Sequence, residues 1–297
     1  MSLLAVLGGA GPSMRRQWGF SLAEALVGLV LLGIVSTALY RVLAGSQRQH
    51  RAHEQHVALT ESARVALAIL PVEFRELSAG DGDILAMDST SITFNSMQGL
   101  YVQCDAPDTA ARRVLLDAAT VFGFRSIDAP DDSVLVFAEG DPATRLDDAW
   151  FSAGVAGSAA GFECPGARAS IGLMLAGVTA ARMAGTGAGA PVRTFRPAQV
   201  LVYQDAGREW WLGRRLFQPS SGSWSIVQPV LGPLSAGGLV LTYVDAQGAA
   251  TDNANAVTGI GVRVVSRSSE PVYRTTGATY LMLGAATHVA LRNNPRY

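Results

Sequence analysis

The sequence is poor in charge and contains no lysine. Of its 297 residues, 16% are charged, and all 23 basic side chains are arginine. Soluble domains carry about 25% charged residues, so composition argues against a disordered chain, a coiled coil and a charge-driven nucleic-acid binder. The formal net charge is −1 and the arginines are spread along the whole chain. DNA is therefore not an expected partner.

The motifs of common enzymes are missing too. The chain has no P-loop, no Rossmann glycine fingerprint, no G-x-S-x-G elbow and no H-E-x-x-H pair. Three histidines lie close together, His50, His53 and His56, but at about 100° per residue the first and last point about 120° apart on a helix. A solvated patch explains them better than a zinc site. We expect a protein without catalytic residues.

Apolar residues are abundant instead. They make up 49% of the chain, the mean hydropathy is +0.24, and the excess is strongest at residues 20–40, FSLAEALVGLVLLGIVSTALY. About 20 apolar residues in a helix cross a hydrocarbon layer of about 30 Å, so this segment is a predicted membrane span. Arg15 and Arg16 precede it and no acidic residue precedes Glu24, which places the N-terminus on the cytoplasmic side. An uncleaved signal anchor shares these properties, whereas a cleaved secretory signal would end in an A-x-A site.

Glu24 is the single charge in this span, and a carboxylate inside a membrane costs about 2.5–3.5 kcal/mol. It therefore requires a partner or a role. The segment from Arg15 to Val27, RRQWGFSLAEALV, resembles the class III signal of type IV prepilins and type II secretion pseudopilins. The shared features are a basic leader, a Gly-Phe junction, a glutamate fifth after the junction and an unbroken apolar helix.

This resemblance implies how the chain is processed. A prepilin peptidase would cut after Gly19, Phe20 would become the N-methylated first residue, and Glu24 would pair with the terminal amine of a neighbouring subunit during assembly. Residues 1–19 are then the leader. A start at Met14 would give a leader of the usual length, MRRQWG, so both starts remain open.

Helix is predicted to continue from the membrane to residue 77, because no proline lies between Phe20 and Leu70. Pro71 should bend or loosen the last turns. Apolar residues recur with the period of an amphipathic helix: Leu59, Ala63, Ala66, Leu70, Phe74 and Leu77. Residues 78–297 form the predicted head. Its segments look like strands, without interleaved helices, and predict an α+β fold with a mainly antiparallel sheet. The Gly/Ala-rich stretches Ala153–Gly161 and Ala184–Ala190 are expected to be long loops.

Two features of the head suggest local chemistry. Cys104 and Cys164 are the only cysteines; an oxidising compartment beyond the membrane would favour a disulfide, and two separate buried thiols are the alternative. An oxygen-rich loop, Asp245, Asp252, Asn253 and Asn255, is a calcium candidate, although it matches no EF-hand pattern and such residues are common in turns. No other cofactor is expected.

The size of the head resembles PilW- or GspJ-like minor subunits. The resemblance implies a minor pilin that primes or caps a type IV pilus. Its partners would be the prepilin peptidase, other major and minor pilins or pseudopilins, the inner-membrane assembly platform and, before assembly, membrane lipid. The head would be periplasmic, or extracellular within a pilus. A minor pseudopilin of a type II secretion system and a signal-anchored periplasmic binding protein are the alternatives.

Overall fold

A computed structural model of the chain describes residue 19 and residues 21–292, except 124, 141–142, 145–147 and 275–276. It combines one long N-terminal helix with a mainly antiparallel β-sheet head, which confirms the predicted α+β class. The chain divides into two compact units between His53 and Glu54. This division lies inside the helix, so the second half of the helix belongs to the same unit as the head.

The described residues form two α-helices, a short 3-10 helix (Ala254–Ala256) and fifteen strands. The helices are α1 (Leu22–Arg75) and α2 (Ala180–Ala184). The strands are β1 (Ile84–Met87), β2 (Ser91–Val102), β3 (Arg113–Asp117), β4 (Phe122–Gly123), β5 (Ser133–Ala138), β6 (Ala149–Cys164), β7 (Arg168–Ala176), β8 (Pro191–Gln204), β9 (Trp210–Gln218), β10 (Ser223–Trp224), β11 (Gln228–Val244), β12 (Gly259–Arg267), β13 (Val272–Arg274), β14 (Gly277–Thr279) and β15 (Met282–Ala290).

The second half of α1 is held by its apolar stripe. All six residues of the predicted stripe, from Leu59 to Leu77, are buried, whereas Val57 and Ile69 on the flanks are exposed. Pro71 cannot donate a backbone hydrogen bond, yet the helix continues past it to Arg75. Pro71 itself is buried, so packing against the head maintains the last turn despite the missing bond.

The sheet branches at its central strand, β8. Strand β2 pairs along one side of β8 over its length. The other side is shared: residues 192–195 pair with β5, and residues 198–204 pair with β9. One branch runs β5–β6–β7–β3 and the other runs β9–β11–β12–β15, with every pairing antiparallel.

Each branch covers its own hydrophobic core. The helix-side core joins Ala66, Leu70, Phe74 and Leu77 to β1, β2, the second half of β8, β9, β11, β12 and β15. At its centre the rings of Phe74 and Phe94 meet edge to face, with centroids 5.5 Å apart, a favourable aromatic arrangement. The far core joins β3, β5, β6, β7 and Met183 of α2 to the first half of β8 and contains no residue of α1.

The prediction of a loop at Ala153–Gly161 is wrong, because these residues lie inside β6. Glycine and alanine are depleted in strands, but here residues 149–154 of β6 pair with β5 and residues 154–164 pair with β7. Alternate residues Phe151, Ala153 and Val155 are buried in the far core. Tertiary pairing therefore outweighs the local propensity. The second stretch, Ala184–Ala190, is largely loop as expected, but α2 ends at its first residue.

A disulfide joins Cys104 to Cys164 across 60 residues of sequence. Cys104 follows β2, and Cys164 is the last residue of β6. Both cysteines are buried. The bond therefore ties together two strands that are distant in sequence and lie next to the far core.

Replacing both cysteines with serine should lower the free energy of unfolding of the full chain in detergent by about 4 kcal/mol, because the unfolded loop is no longer restricted. Urea unfolding followed by tryptophan fluorescence measures this loss. Reductant should shift the wild-type transition in the same direction and leave the double-serine variant unchanged. An unaltered midpoint in the double variant would contradict the prediction.

Candidate functional site

The first turn of α1 contains the residues of the predicted processing and assembly site. Ser21 precedes the helix, and its hydroxyl accepts a hydrogen bond from the Glu24 N–H at 3.2 Å. In return, Oε2 of Glu24 accepts from the Ser21 N–H at 3.0 Å and from the Ser21 hydroxyl at 3.1 Å. This reciprocal pair is a capping box, which satisfies two backbone donors that a helix start would otherwise leave unpaired.

The pattern S-x-x-E at Ser21–Glu24 is the usual sequence signal of a capping box. The prediction of a distant charged partner for Glu24 does not include this local role. The structure shows that its carboxylate already has local donors within the chain. These hydrogen bonds reduce the free-energy cost of placing the Glu24 carboxylate near an apolar medium, because they replace part of the hydration that the group loses there.

The predicted cleavage position, after Gly19, lies immediately before this turn. Gly19 is exposed, and a Cβ atom added there would meet no atom within 4 Å. No atom of the described residues therefore packs against the Gly19 backbone on the side of an added Cβ. Phe20, the predicted methylated residue, and the leader residues Arg15 and Arg16 lie outside the described residues.

The first half of α1 is apolar all round and exposed within the chain. Large side chains from Leu22 to Leu43 are exposed on every face of the helix, including Leu22 at 82%. The hydroxyl of Thr37 in this segment donates to the carbonyl of Gly33 at 2.7 Å. A helix that is apolar all round suits a membrane or a bundle of partner helices. Within the described part of the chain, α1 alone is long and apolar enough to cross a membrane.

Ionic contacts fasten the second half of α1 to the sheet. Glu73 lies 3.1 Å from Nε of Arg214 on β9, and Nη2 of Arg214 also donates to Ser96 at 2.9 Å. The neighbouring Arg215 donates to Gln199 at 2.7 Å and lies over the ring of Trp224. The paired arginines thus take part in structural contacts of the head.

The turn after α1 encloses a buried carboxylate, Asp83. Its Oδ2 accepts the Ser78 N–H at 2.8 Å and lies 3.6 Å from Nη2 of Arg193. Burial raises the pKa of Asp83 above its usual value; the Ser78 N–H and the Arg193 charge oppose this shift but do not cancel it. The chain therefore holds a carboxyl group of raised pKa where the helix passes into the sheet.

A second buried charge occupies the point where the sheet branches. Arg196 lies between the β8 residues that pair with β5 and those that pair with β9, and its side chain is 8% exposed. It donates to Oδ1 of Asp132 at 2.7 and 3.0 Å and to Asp128 at 2.9 Å. The carboxylates just before β5 therefore neutralise Arg196 in the space between the two branches.

The calcium-candidate loop is organised as turns. Oδ1 of Asp245 accepts the N–H groups of Gln247 and Ala249 at 3.0 and 2.9 Å. The Asn253 side chain caps the short 3-10 helix by accepting from the Asn255 N–H at 3.1 Å; Asp252 lies beside it in the same loop. In the described residues, no three or more His, Cys, Asp or Glu side chains are grouped to hold a metal ion; His50, His53 and His56 are exposed.

Comparison with known families identifies the N-terminal site. Residues 14–40 match the family model of the prokaryotic N-terminal methylation motif, which is the class III signal of type IV prepilins. The match begins at Met14, with the segment MRRQWG, and ends at Tyr40. No curated protein and no solved structure matched the chain. The motif supports a type IV pilin- or pseudopilin-like protein, a structural subunit anchored in a membrane.

The raised pKa of Asp83 gives a pH dependence with a definite sign. A carboxyl group whose native pKa exceeds its unfolded value of 3.8 binds protons more tightly in the folded state. The contribution of this carboxyl group to the free energy of unfolding is complete below the unfolded pKa. It is lost as the pH rises through the native pKa. The free energy of unfolding of wild type minus that of Asp83→Asn should therefore fall as the pH rises from about 3 to about 7.

Asp131 provides a control of opposite sign. The Ser220 hydroxyl and N–H bond to its carboxylate, and these bonds lower its pKa. Stability from this group is present above the unfolded pKa and is lost as the pH falls through the native pKa. The corresponding difference for Asp131→Asn should rise with pH. Parallel curves for the two variants would show that Asp83 is not titrating as described.

Proposed function

We propose that this protein is a minor pilin of a type IV pilus. The peptidase that recognises the methylation motif cuts after Gly19, Phe20 is methylated, and the mature chain joins the filament through its apolar helix. The observation that carries this proposal is the register of the motif: Gly19 is exposed and unpacked just before the helix, and Glu24 stands five residues after it. An ordinary signal anchor needs neither feature.

The first half of α1 supports assembly through helices. Its apolar faces have no partner within the described chain, so lipid before assembly and neighbouring helices afterwards are the surfaces that fit them. A carboxylate among these apolar helices needs a cation at the same depth in the membrane or filament. The methylated amine of a neighbouring Phe20 supplies one, and the position of Glu24 then fixes how far each subunit is displaced along the next.

The head supports the periplasmic location. A disulfide between Cys104 and Cys164 persists in an oxidising compartment, and the two arginines of the leader keep the N-terminus on the cytoplasmic side. The large head, with two cores, suits a subunit that ends or begins a filament, where its bulk is not repeated in every layer. We therefore assign it a priming or capping role.

Processing is tested by mass spectrometry of the mature N-terminus after expression with a prepilin peptidase. The chain should begin at a methylated Phe20, and Gly19→Val should retain its leader, because a branched side chain hinders close approach of the protease to the scissile bond. Gly28→Val is the matched control: it lies inside the apolar helix with open space around it and should be cut normally. An intact wild-type leader, or cleavage elsewhere, would refute the proposal.

The type of machine is tested in cells that lack this chain. Loss of surface filaments, restored by the wild-type chain, would support a pilus subunit. Loss of protein secretion with filaments unchanged would instead show a pseudopilin of a type II secretion system. Neither defect, together with an uncut leader, would leave a signal-anchored binding protein as the better explanation.

The charge of Glu24 should matter for assembly beyond its role in the capping box. Glu24→Gln keeps an oxygen that can accept the Ser21 bonds, since glutamine also serves in capping boxes, but it removes the charge. Ser21→Ala removes the hydroxyl and keeps the charge. We expect Glu24→Gln to be cut at Gly19 yet lost from the filament fraction, and Ser21→Ala to be incorporated nearly as well as wild type.

Immunoblots of sheared filaments and of membranes measure the two fractions. Normal incorporation of Glu24→Gln would overturn the charge-pairing role. Loss of both variants from the filaments would assign the effect to the helix start, because that is the structural element they share.

A further inference from the structure

A cleft of about 620 Å³ opens where the sheet branches. Arg196 of β8 lines it, between the residues that pair with β5 and those that pair with β9. Residues 125–128 and Asp132, which precede β5, line one side of the cleft. Residues of β9, with Ser225 and Gln228, line the other side. The volume of the cleft lies within the range of small-molecule sites, about 300–1,000 Å³.

Side-chain contacts hold the two sides of this cleft in place. On one side, Asp128 and Asp132 accept hydrogen bonds from Arg196 at 2.7 to 3.0 Å. The Ser220 N–H, in the turn after β9, donates to Asp131 at 3.1 Å and so joins one side of the cleft to the other. A cleft that is formed before a ligand arrives loses less conformational entropy when it binds one.

Three guanidinium groups that line the cleft keep unused hydrogen-bond donors. Arg196 and Arg214 use Nε and Nη2 in the contacts described above, and no described acceptor bonds Nη1 of either side chain. Neither Nη1 is a buried atom without a partner, so both are accessible to solvent. Arg125 is exposed, and its one described contact is to Gln98 at 3.5 Å. Guanidinium groups with unused donors bind oxyanions.

The charges at the cleft favour a ligand with a single negative charge. Four of the described lining residues are arginines. Three carboxylates balance three of them: Asp128 and Asp132 contact Arg196, and Glu73 contacts Arg214. The fourth arginine by sequence, Arg215, follows Arg214 in the strand and therefore lies on the other face of β9. One positive charge is unmatched, which suits a carboxylate better than a phosphate group of about −1.5 to −2.

The other polar groups of the cleft suit the hydroxyl groups of a ligand. The side chains of Ser126, Gln218 and Gln228 line it and bond to no other side chain or backbone group of the described residues. Asp128 uses Oδ2 for Arg196, and its side chain is 66% exposed, so Oδ1 is an open acceptor. An amide offers both donors and an acceptor, as a hydroxyl partner requires. Two of the described lining residues are apolar, so an apolar ligand would find little matching surface.

We propose that this cleft binds a sugar acid, a ligand with one carboxylate and several hydroxyl groups. The carboxylate bonds to Arg125 and to the unused Nη1 groups of Arg196 and Arg214. The hydroxyl groups bond to the amides of Gln218 and Gln228. An uncharged sugar would leave the arginines without an anion, and an acid with an apolar body would leave the amides unpaired. Binding involves the head alone, so it does not depend on how the chain is processed or assembled.

Isothermal titration calorimetry of the full chain, in a non-ionic detergent without a sugar head group, tests the class of ligand. Glucuronate and glucose share one ring and differ in the carboxylate, so glucuronate should bind at least about tenfold more tightly. Equal binding of the two probes, or no binding of glucuronate, would overturn the proposal. Tighter binding of inorganic phosphate would show a phosphate site instead, and tighter binding of pentaglutamate would show a site for an acidic peptide; either result would refute a sugar acid.

Variants of the cleft test its location in the same titration. Arg125→Gln should raise the dissociation constant of glucuronate about tenfold, because a charged hydrogen-bond donor is lost. Gln218→Ala should raise it about fivefold through the loss of a neutral bond. The matched control is Arg263→Gln, an exposed arginine of β12 that does not line the cleft, and it should change nothing. Circular dichroism checks that the variants are folded. Equal effects of the two arginine variants would refute this site.

Discussion

The head is organised around one buried stripe of α1. Ala66, Leu70 and Phe74 belong to the helix-side core. The first and last strands of the head, β1 and β15, contribute to the same core. Before residue 44 the same helix exposes large apolar side chains on every face, with Glu24 and Arg41 as its charged residues, and after residue 58 it is apolar on one face. One continuous helix therefore serves two environments. The change in its hydrophobic pattern, from all faces to one stripe, marks where the surroundings change.

The sequence was informative where the signal is local. The stripe from Leu59 to Leu77 follows from helical periodicity, and the methylation motif follows from residues that stand close together. The antiparallel sheet of the head follows from strand-like segments without interleaved helices. β6 was missed because glycine and alanine carry no strand signal of their own; its partners β5 and β7 decide its structure. The branching at β8 depends on which distant strands meet, and no local pattern contains that information.

The site was predictable to a similar extent. The positions of Gly19 and Glu24 follow from the motif, and both lie at the start of the helix in the structure. The local role of Glu24 was missed because the carboxylate was considered only as a charge, whereas its oxygen also completes the capping box with Ser21. In the head, the carboxylate of Asp245 closes a turn, and Asp132 neutralises Arg196 through a contact between residues distant in sequence, which no local pattern contains.

The separation of the two cores has a mechanical consequence. Every α1 residue that is buried in a hydrophobic core belongs to the helix-side core, and the far core contains none. A pull along the helix therefore enters the half of the head built on β9, β11 and β12, and reaches the half with the disulfide mainly through β8 and β2. The half that is attached to the helix must keep its packing. The other half is under less tension, so its surface is the part of this protein most open to change without weakening its attachment to the helix.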